Sequence, residues 1–445
     1  MTSVDQALSA GVRPPTAAKP MTVAVASLIG TTVEYYDFFI FGTAAALVFP
    51  KLFFPAATPL TGTLLSFATL GVGFLARPLG GVVFGHFGDR VGRKKMLVIT
   101  LLGMGLATVL IGLLPTYAAI GVAAPVLLTV LRLVQGFMVG GEWGGATLMA
   151  VEHAPVGRKG IFGSFPQMGA PLGTGLATGA FLVAALLPDD QFLTWGWRVP
   201  FLISALLVVI GLAIRLTVEE SPAFQAARDE DAVQALPIAT AFRYHWKPIL
   251  LIAGTFVSQG VLAYLCMSYF ITYGSKVVGI PRVEALAGML VAAVIATLAY
   301  PVFGWLSDYW GRKTVYLLGA VLMGASVFPA LALINSGNSL LFMLAITLMF
   351  GIAMPPAAGV TGPLFSMVFP KEVRYSGASV GYTISQIVGP AFAPTIATAI
   401  FGATHSSTGV GLYMVVVCAI SILSVALLPG PWGRREAELQ QQEVH

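Results

Sequence analysis

Charge is what this chain is short of. Asp, Glu, Lys and Arg make up 10% of its 445 residues, whereas a soluble globular domain carries about 25%, so there are too few polar groups to cover a surface that faces water. With 57% hydrophobic residues and a mean hydropathy of +0.86, the solvent that fits is a lipid bilayer. Cysteine is nearly missing: Cys266 and Cys418 both lie in apolar runs, with no paired spacing and no His beside them, which indicates neither a disulfide nor a metal site. No P-loop, no His-rich metal spacing and no nucleophile motif occurs, so neither an enzyme nor a cofactor is expected. The net charge of +5 is spread over short loops and forms no basic patch, which sets nucleic acid aside as a partner. The first apolar run carries Glu34 and Asp37 and outlasts a signal h-region, so no cleaved signal peptide is expected.

Long apolar runs are what the chain has instead. About 20 apolar residues cross the hydrocarbon core as a helix, and the sequence predicts spans at 21–49, 61–87, 96–115, 122–150, 161–187, 198–217, 248–274, 284–306, 315–334, 340–369, 377–403 and 410–429. The polar interval 218–247 divides these into six and six. The expected organisation is a cytoplasmic tail at 1–20, a six-helix bundle at 21–217, a cytoplasmic linker at 218–247, a second bundle at 248–429 and a cytoplasmic tail at 430–445. The 50 glycines and 28 prolines fall largely inside the apolar runs, where they serve close helix contacts and broken helices. Eighteen of the 24 basic residues fall on the side of the N-terminus, and only Lys51, Lys276 and Arg282 in the opposite loops. That imbalance puts both termini in the cytoplasm of a cell whose plasma or inner membrane holds the protein.

The two halves share motifs. Gly85-x-x-x-Asp89-x-x-Gly92-Arg93-Lys94 recurs 219 residues on as Gly304-x-x-x-Asp308-x-x-Gly311-Arg312-Lys313. At the same offset Ser164-x-x-Gln167 matches Thr383-x-x-Gln386, and the loops after spans four and ten carry Glu152 and Arg158, then Glu372 and Arg374. A six-helix unit has been duplicated, which is the plan of a carrier.

With Arg132-x-x-Gln135-Gly136 in span four, these features resemble the major facilitator superfamily. Glu34-Tyr35-Tyr36-Asp37-Phe38, Gly140-Gly141-Glu142-Trp143-Gly144-Gly145, Trp195-Gly196-Trp197-Arg198-Val199-Pro200-Phe201 and Arg374-Tyr375-Ser376-Gly377 are similar to its metabolite:proton symporters. The resemblance implies an all-α membrane protein of twelve transmembrane helices, in two bundles related by a pseudo-two-fold axis, that works as a monomer. It also implies a gating role for the loop motifs, carried to Gly85, Asp89, Arg93, Gly304, Asp308 and Arg312. Glu152, Arg158, Glu372 and Arg374 are grouped with that gate.

Charges inside spans need a reason, since each costs about 2.5–3.5 kcal/mol at a helix centre on insertion scales. They are Glu34, Asp37, Arg77, Arg132 and Glu142, all in the first half. Glu34 and Asp37 are three residues apart and share a helix face with Phe41; they are candidate proton sites, Asp37 ahead of Glu34, or else structural partners of Arg132 or Arg77. Arg132, with Gln135 one turn on, suits a bidentate grip on a carboxylate, the other reading being a charge network with span one. Arg77 reads as structural, and Glu142 as a second proton site or a gate contact. Gln167, Gln386, Tyr36 and Tyr382 complete the candidate substrate site, while Tyr269 and Tyr273 read as interfacial anchors. The expected function is proton-coupled symport of a small organic anion, a monocarboxylate or dicarboxylate. A carrier of betaine or proline, with a carboxylate and aromatic faces around a quaternary ammonium, and an uncoupled channel or receptor are the alternatives.

Overall fold

A computed structural model describes residues 20–428 apart from 92, 141–149, 152–153, 156, 218–236 and 370–373, and excludes the side chains of 85–86, 88–94, 97, 214–217, 237–244 and 374–376. The described residues form twelve helices or broken helices, nine of them long and apolar enough to cross a membrane. In the first half these are α1 (Pro20–Leu47), α2 (Pro59–Val91), α3 (Arg93–Leu113), α4 (Ala123–Val139), α5 (Lys159–Ala184) and α6 (Val199–Thr217). The second half has α7 (Pro237–Tyr264), which runs on through π-helical turns to Val278, α8 (Arg282–Trp310), α9 (Arg312–Asn335) and α10 (Ser339–Ile346), which continues with breaks to Phe365. It closes with α11, in two pieces (Arg374–Val388 and Ala393–Thr404), and α12 (Thr408–Leu427).

Helix pairing repeats with the chain. α1 packs on α5, α2 on α4 and α3 on α6; α7 packs on α11, α8 on α10 and α9 on α12. The halves meet where α5 lies along α8 and α2 along α11, so the duplication read from the loop motifs is also a duplication of contacts. Large apolar side chains such as Leu79, Val183, Leu298, Leu340 and Leu427 are exposed. On a soluble monomer such a belt would be an adhesive patch; around twelve spanning helices it is the surface that lipid covers.

Small residues set the closest approaches. A Cβ on Gly136 of α4 would collide with the carbonyl of Gly73 on α2, and one on Gly73 would come 2.7 Å from Nε of Arg132. These glycines therefore let α2 and α4 touch backbone to backbone while leaving room for one long cation. Gly136→Leu is expected to abolish the monodisperse peak of the purified protein in size-exclusion chromatography, because the obstruction is main chain and has no rotamer to yield. Gly311, from the second loop motif, closes α8 and opens α9 at φ 85. That left-handed geometry favours glycine and makes the turn tight.

Tyr269 and Tyr273 correct one expectation. They are not interfacial anchors but buried side chains, their rings stacked 5.8 Å apart, with the Tyr273 hydroxyl donating to Asn335 Oδ1 at 2.7 Å. Their place near the end of an apolar run resembles an aromatic belt in sequence; the packing of α7 against α9 is what turns them inward.

Candidate functional site

Four helices of the first half converge on a polar cluster that is wholly buried. Asp37 (α1), Thr108 (α3), Arg132 and Gln135 (α4) and Ser204 (α6) all have no exposed surface. Ser204 donates its hydroxyl to Asp37 Oδ1. Arg132 Nη1 donates to Gln135 Oε1, while Gln135 Nε2 donates to the main-chain oxygen of Asp37 at 3.0 Å and to Thr108 Oγ1 at 2.9 Å. Among the described residues Asp37 Oδ2 and Nε and Nη2 of Arg132 have no hydrogen-bond partner.

Among the described residues the guanidinium of Arg132 is held by rings and by no counter-ion. Its Cζ stands 3.9 Å from the centroid of Phe38 and 4.3 Å from that of Phe41, and Arg77 lies over Phe38 and Phe74 at 4.4 and 4.7 Å. Cation–π contacts of desolvated groups contribute on the order of 1–2 kcal/mol each, which offsets part of the insertion cost while leaving donor directions unspent. No described carboxylate forms an ion pair with Arg132; it meets α1 through aromatic faces, not through Glu34 or Asp37.

A second polar group joins the halves. The hydroxyls of Tyr35 (α1) and Tyr382 (α11) are 3.0 Å apart, Gln386 Nε2 donates to the Tyr382 hydroxyl at 2.6 Å, and Gln386 Oε1 has no partner among the described residues. Glu34 lies near enough to act electrostatically on both tyrosines. Phe256 of α7 stands edge-on to Tyr382 at 4.7 Å. Tyr264 closes the aromatic wall, 5.4 Å from Phe74 and 6.2 Å from Phe38. Gln259 sits apart, bonded to Thr361 and Tyr316 inside the second half.

At one end of the molecule Asp308 reaches across the halves. Its carboxylate accepts from the backbone amides of Gly160 at 2.7 Å and Ile161 at 3.2 Å, in the first turn of α5, where two unsatisfied donors and the helix dipole favour a negative charge. Gly304 allows this approach, because a Cβ there would meet Ser164 at 2.7 Å. Arg312 lies beside the sulfur of Met367 and acts electrostatically on Asp308, and Arg158 is exposed. At the opposite end Arg282 pairs with Asp189 at 3.0 Å and donates to the Ala185 carbonyl, and Lys276 donates to Thr63 at 3.2 Å. Asp189 is exposed, so this pair contributes about 0–1 kcal/mol, and the Arg282 guanidinium also lies 4.1 Å from the Phe192 ring.

The remaining expectations fall as follows. Gln167 is buried on α5. Tyr36 donates its hydroxyl to the Pro200 carbonyl at 2.7 Å, which ties α1 to α6. Glu142, Glu152 and Glu372 lie outside the described residues, as do the side chains at positions 85, 89, 93 and 374, so the first loop motif is placed only through its backbone. Ser204 and Thr108 were not legible: a lone hydroxyl in an apolar run gains meaning only once its neighbour helix is known. A cavity of about 670 Å³ between α5, α6 and α8, lined by residues such as Gly175, Gly179, Trp195 and Leu290, touches none of these ionisable groups and shares Val183 and Leu298 with the exposed apolar belt.

This is the layout of a membrane carrier, with contacts between its halves at both ends and with Glu34, Asp37, Arg77 and Arg132 buried in the first half. Residues 22–240 match the sugar (and other) transporter family and residues 284–444 the major facilitator superfamily. The chain is 42% identical to the inner membrane metabolite transport protein YhjE of Escherichia coli K12 and 40% identical to the shikimate transporter of the same strain, in each case over 91% of this chain and 93% of the relative. The proton:xylose symporter XylE shares the fold, with a TM-score of 0.70 at 16% identity over 93% of this chain and 96% of that one. The chain belongs to the major facilitator superfamily, among its metabolite permeases, and it is a multi-pass membrane transporter.

Proposed function

We propose that this transporter carries a small organic anion, a monocarboxylate or dicarboxylate metabolite, inward across the inner membrane together with protons, by alternating access, with both termini in the cytoplasm. The observation that carries the reading is Arg132: fully buried, stacked between Phe38 and Phe41, and with Nε and Nη2 free of protein partners among the described residues. Two adjacent guanidinium donors match the two oxygens of a carboxylate. Asp37, buried in the same cluster and outside any described ion pair, is the residue we assign to the proton, and Asp308 with the α5 amides is the gate. Tyr35, Tyr382 and Gln386 supply neutral hydrogen bonds from both halves. The relative named a shikimate transporter and the fold shared with a proton symporter support this reading. Against the betaine alternative, the rings of Phe38, Phe41 and Phe74 are already covered by Arg77 and Arg132; in its favour stands a relative named a proline/betaine transporter, 33% identical over 90% of this chain.

A thermal-shift screen against organic acids and betaines selects the compound, because a ligand at a hundred times its Kd adds about 2.7 kcal/mol of stability. In proteoliposomes the selected acid, with shikimate as the first probe, is expected to accumulate under an inward proton gradient and to stop accumulating when the gradient is collapsed. Indifference to the gradient would indicate facilitated diffusion or another ion, and stabilisation by glycine betaine but by no acid would move the assignment to a zwitterion.

A further inference from the structure

Gln135 touches both ends of the coupling problem. Its Oε1 accepts from Arg132 Nη1, and its Nε2 donates both to the main-chain oxygen of Asp37 and to Thr108 Oγ1. Every one of these groups is fully buried, so no water competes for the amide. A carbonyl oxygen has two lone pairs, and that of Asp37 can keep its helical bond while accepting from Gln135; the side chain thus fastens α1 at the residue that bears the carboxylate. An amide cannot titrate, and with its oxygen toward the guanidinium its NH2 must point at α1 and α3. Its orientation is therefore set by Arg132 and read by Asp37.

We propose that Gln135 is a positioning residue that transmits the state of Arg132 to the protonation equilibrium of Asp37, rather than a ligand of the substrate. An anion held by the free Nε and Nη2 draws the guanidinium toward itself and loosens the hold of Nη1 on Gln135 Oε1. The amide then slackens its grip on the Asp37 backbone and on Thr108, and Asp37 shifts toward the Ser204 hydroxyl and toward accepting a proton on Oδ2. Loosening that hold favours the protonated carboxyl, so anion and proton bind with mutual reinforcement. The charged or titratable groups around Asp37 are Glu34 and Tyr36 on its own helix, Arg77 on α2, Arg132 on α4 and Tyr264 on α7; α3 and α6 present the neutral Thr108 and Ser204. Arg132 is joined to Asp37 by a hydrogen-bonded chain through Gln135.

The inference rests on the reading of Arg132 as anchor and Asp37 as proton site, and its test is independent of any substrate. The carboxyl stretch of Asp37, identified by its disappearance in Asp37→Asn, is followed by infrared spectroscopy against pH in the purified full-length protein. Arg132→Gln is made in the wild-type background and again with Gln135→Leu. With Gln135 present, removing the cation is expected to raise the Asp37 midpoint by about one pH unit; with Gln135→Leu the same removal should move it by less than half as much. Equal shifts in both backgrounds, or no shift in either, would overturn the proposal. Gln135→Met, which keeps the length of the side chain without its amide, serves if the leucine variant does not fold. Failure of gradient-driven uptake in proteoliposomes would sink the transport reading and leave this titration result standing.

Discussion

Arg132→Lys is expected to lower the initial rate of uptake, measured below saturation, by about 10–100-fold while the protein still reaches the membrane. The estimate comes from what lysine cannot do. A hydrogen bond to a charged group is worth about 1.5–3 kcal/mol, and 1.4 kcal/mol is a factor of ten, so an ammonium that offers a carboxylate one contact in place of two loses roughly that much. Lysine also lacks the planar face that lies against Phe38 and Phe41, and its compact, strongly hydrated charge is poorly suited to a site without water. Uptake should be compared at equal amounts of protein in the membrane. Near-normal rates would remove Arg132 from the substrate site and return it to a structural role on α4. Because Gly73 leaves space for the longer guanidinium, the lysine variant meets no steric obstacle, and a loss of activity can be read as chemistry.

What the sequence made legible was the expensive part of the molecule. A charge inside an apolar span is costly enough that each one stood out, and Asp37 and Arg132, singled out on that ground, do lie in one buried cluster. Asp308 was legible through its repeated motif, although not its partner: nothing in a local pattern says that a carboxylate at the end of α8 will accept from the first amides of α5. Cheap residues were silent for the same physical reason. Ser204 and Thr108 cost little to bury, so no pattern marks them, yet they help to fix Asp37 and Gln135. Tyr36 is ambiguous in sequence, since a tyrosine in a span is equally at home pinning a neighbouring helix, as it does with Pro200. The repeat also hides an asymmetry. At the offset of 219 residues Asp37 is answered by Phe256 and Arg132 by Gly351, so the second half offers ring and backbone where the first offers charge. The helix pairs match; the chemistry does not.

Asp37→Asn is expected to abolish accumulation against a gradient while sparing exchange. Asparagine has nearly the same shape as a protonated aspartic acid, can still accept from Ser204 at the position of Oδ1, and cannot release a proton. A carrier locked in that form can bind anion and cycle while loaded on both sides, so counterflow of labelled for unlabelled compound should remain within a fewfold of wild type. Net uphill transport is different. One proton moving down a gradient of one pH unit supplies about 1.4 kcal/mol, which sustains about a tenfold concentration ratio, and the variant has no group with which to collect it. In the wild type the loaded state needs Asp37 protonated from outside, so the apparent affinity for the anion should weaken as external pH rises above the titration midpoint, by up to tenfold per unit; in the variant that dependence should flatten. Unaffected accumulation would move the proton site to Glu34 or Glu142. A variant that lost both accumulation and counterflow would place Asp37 in the architecture of the cluster, holding α6 through Ser204, rather than in its coupling. The two assays together separate these roles because the asparagine keeps the hydrogen bond that positions the helix and deletes only the titration.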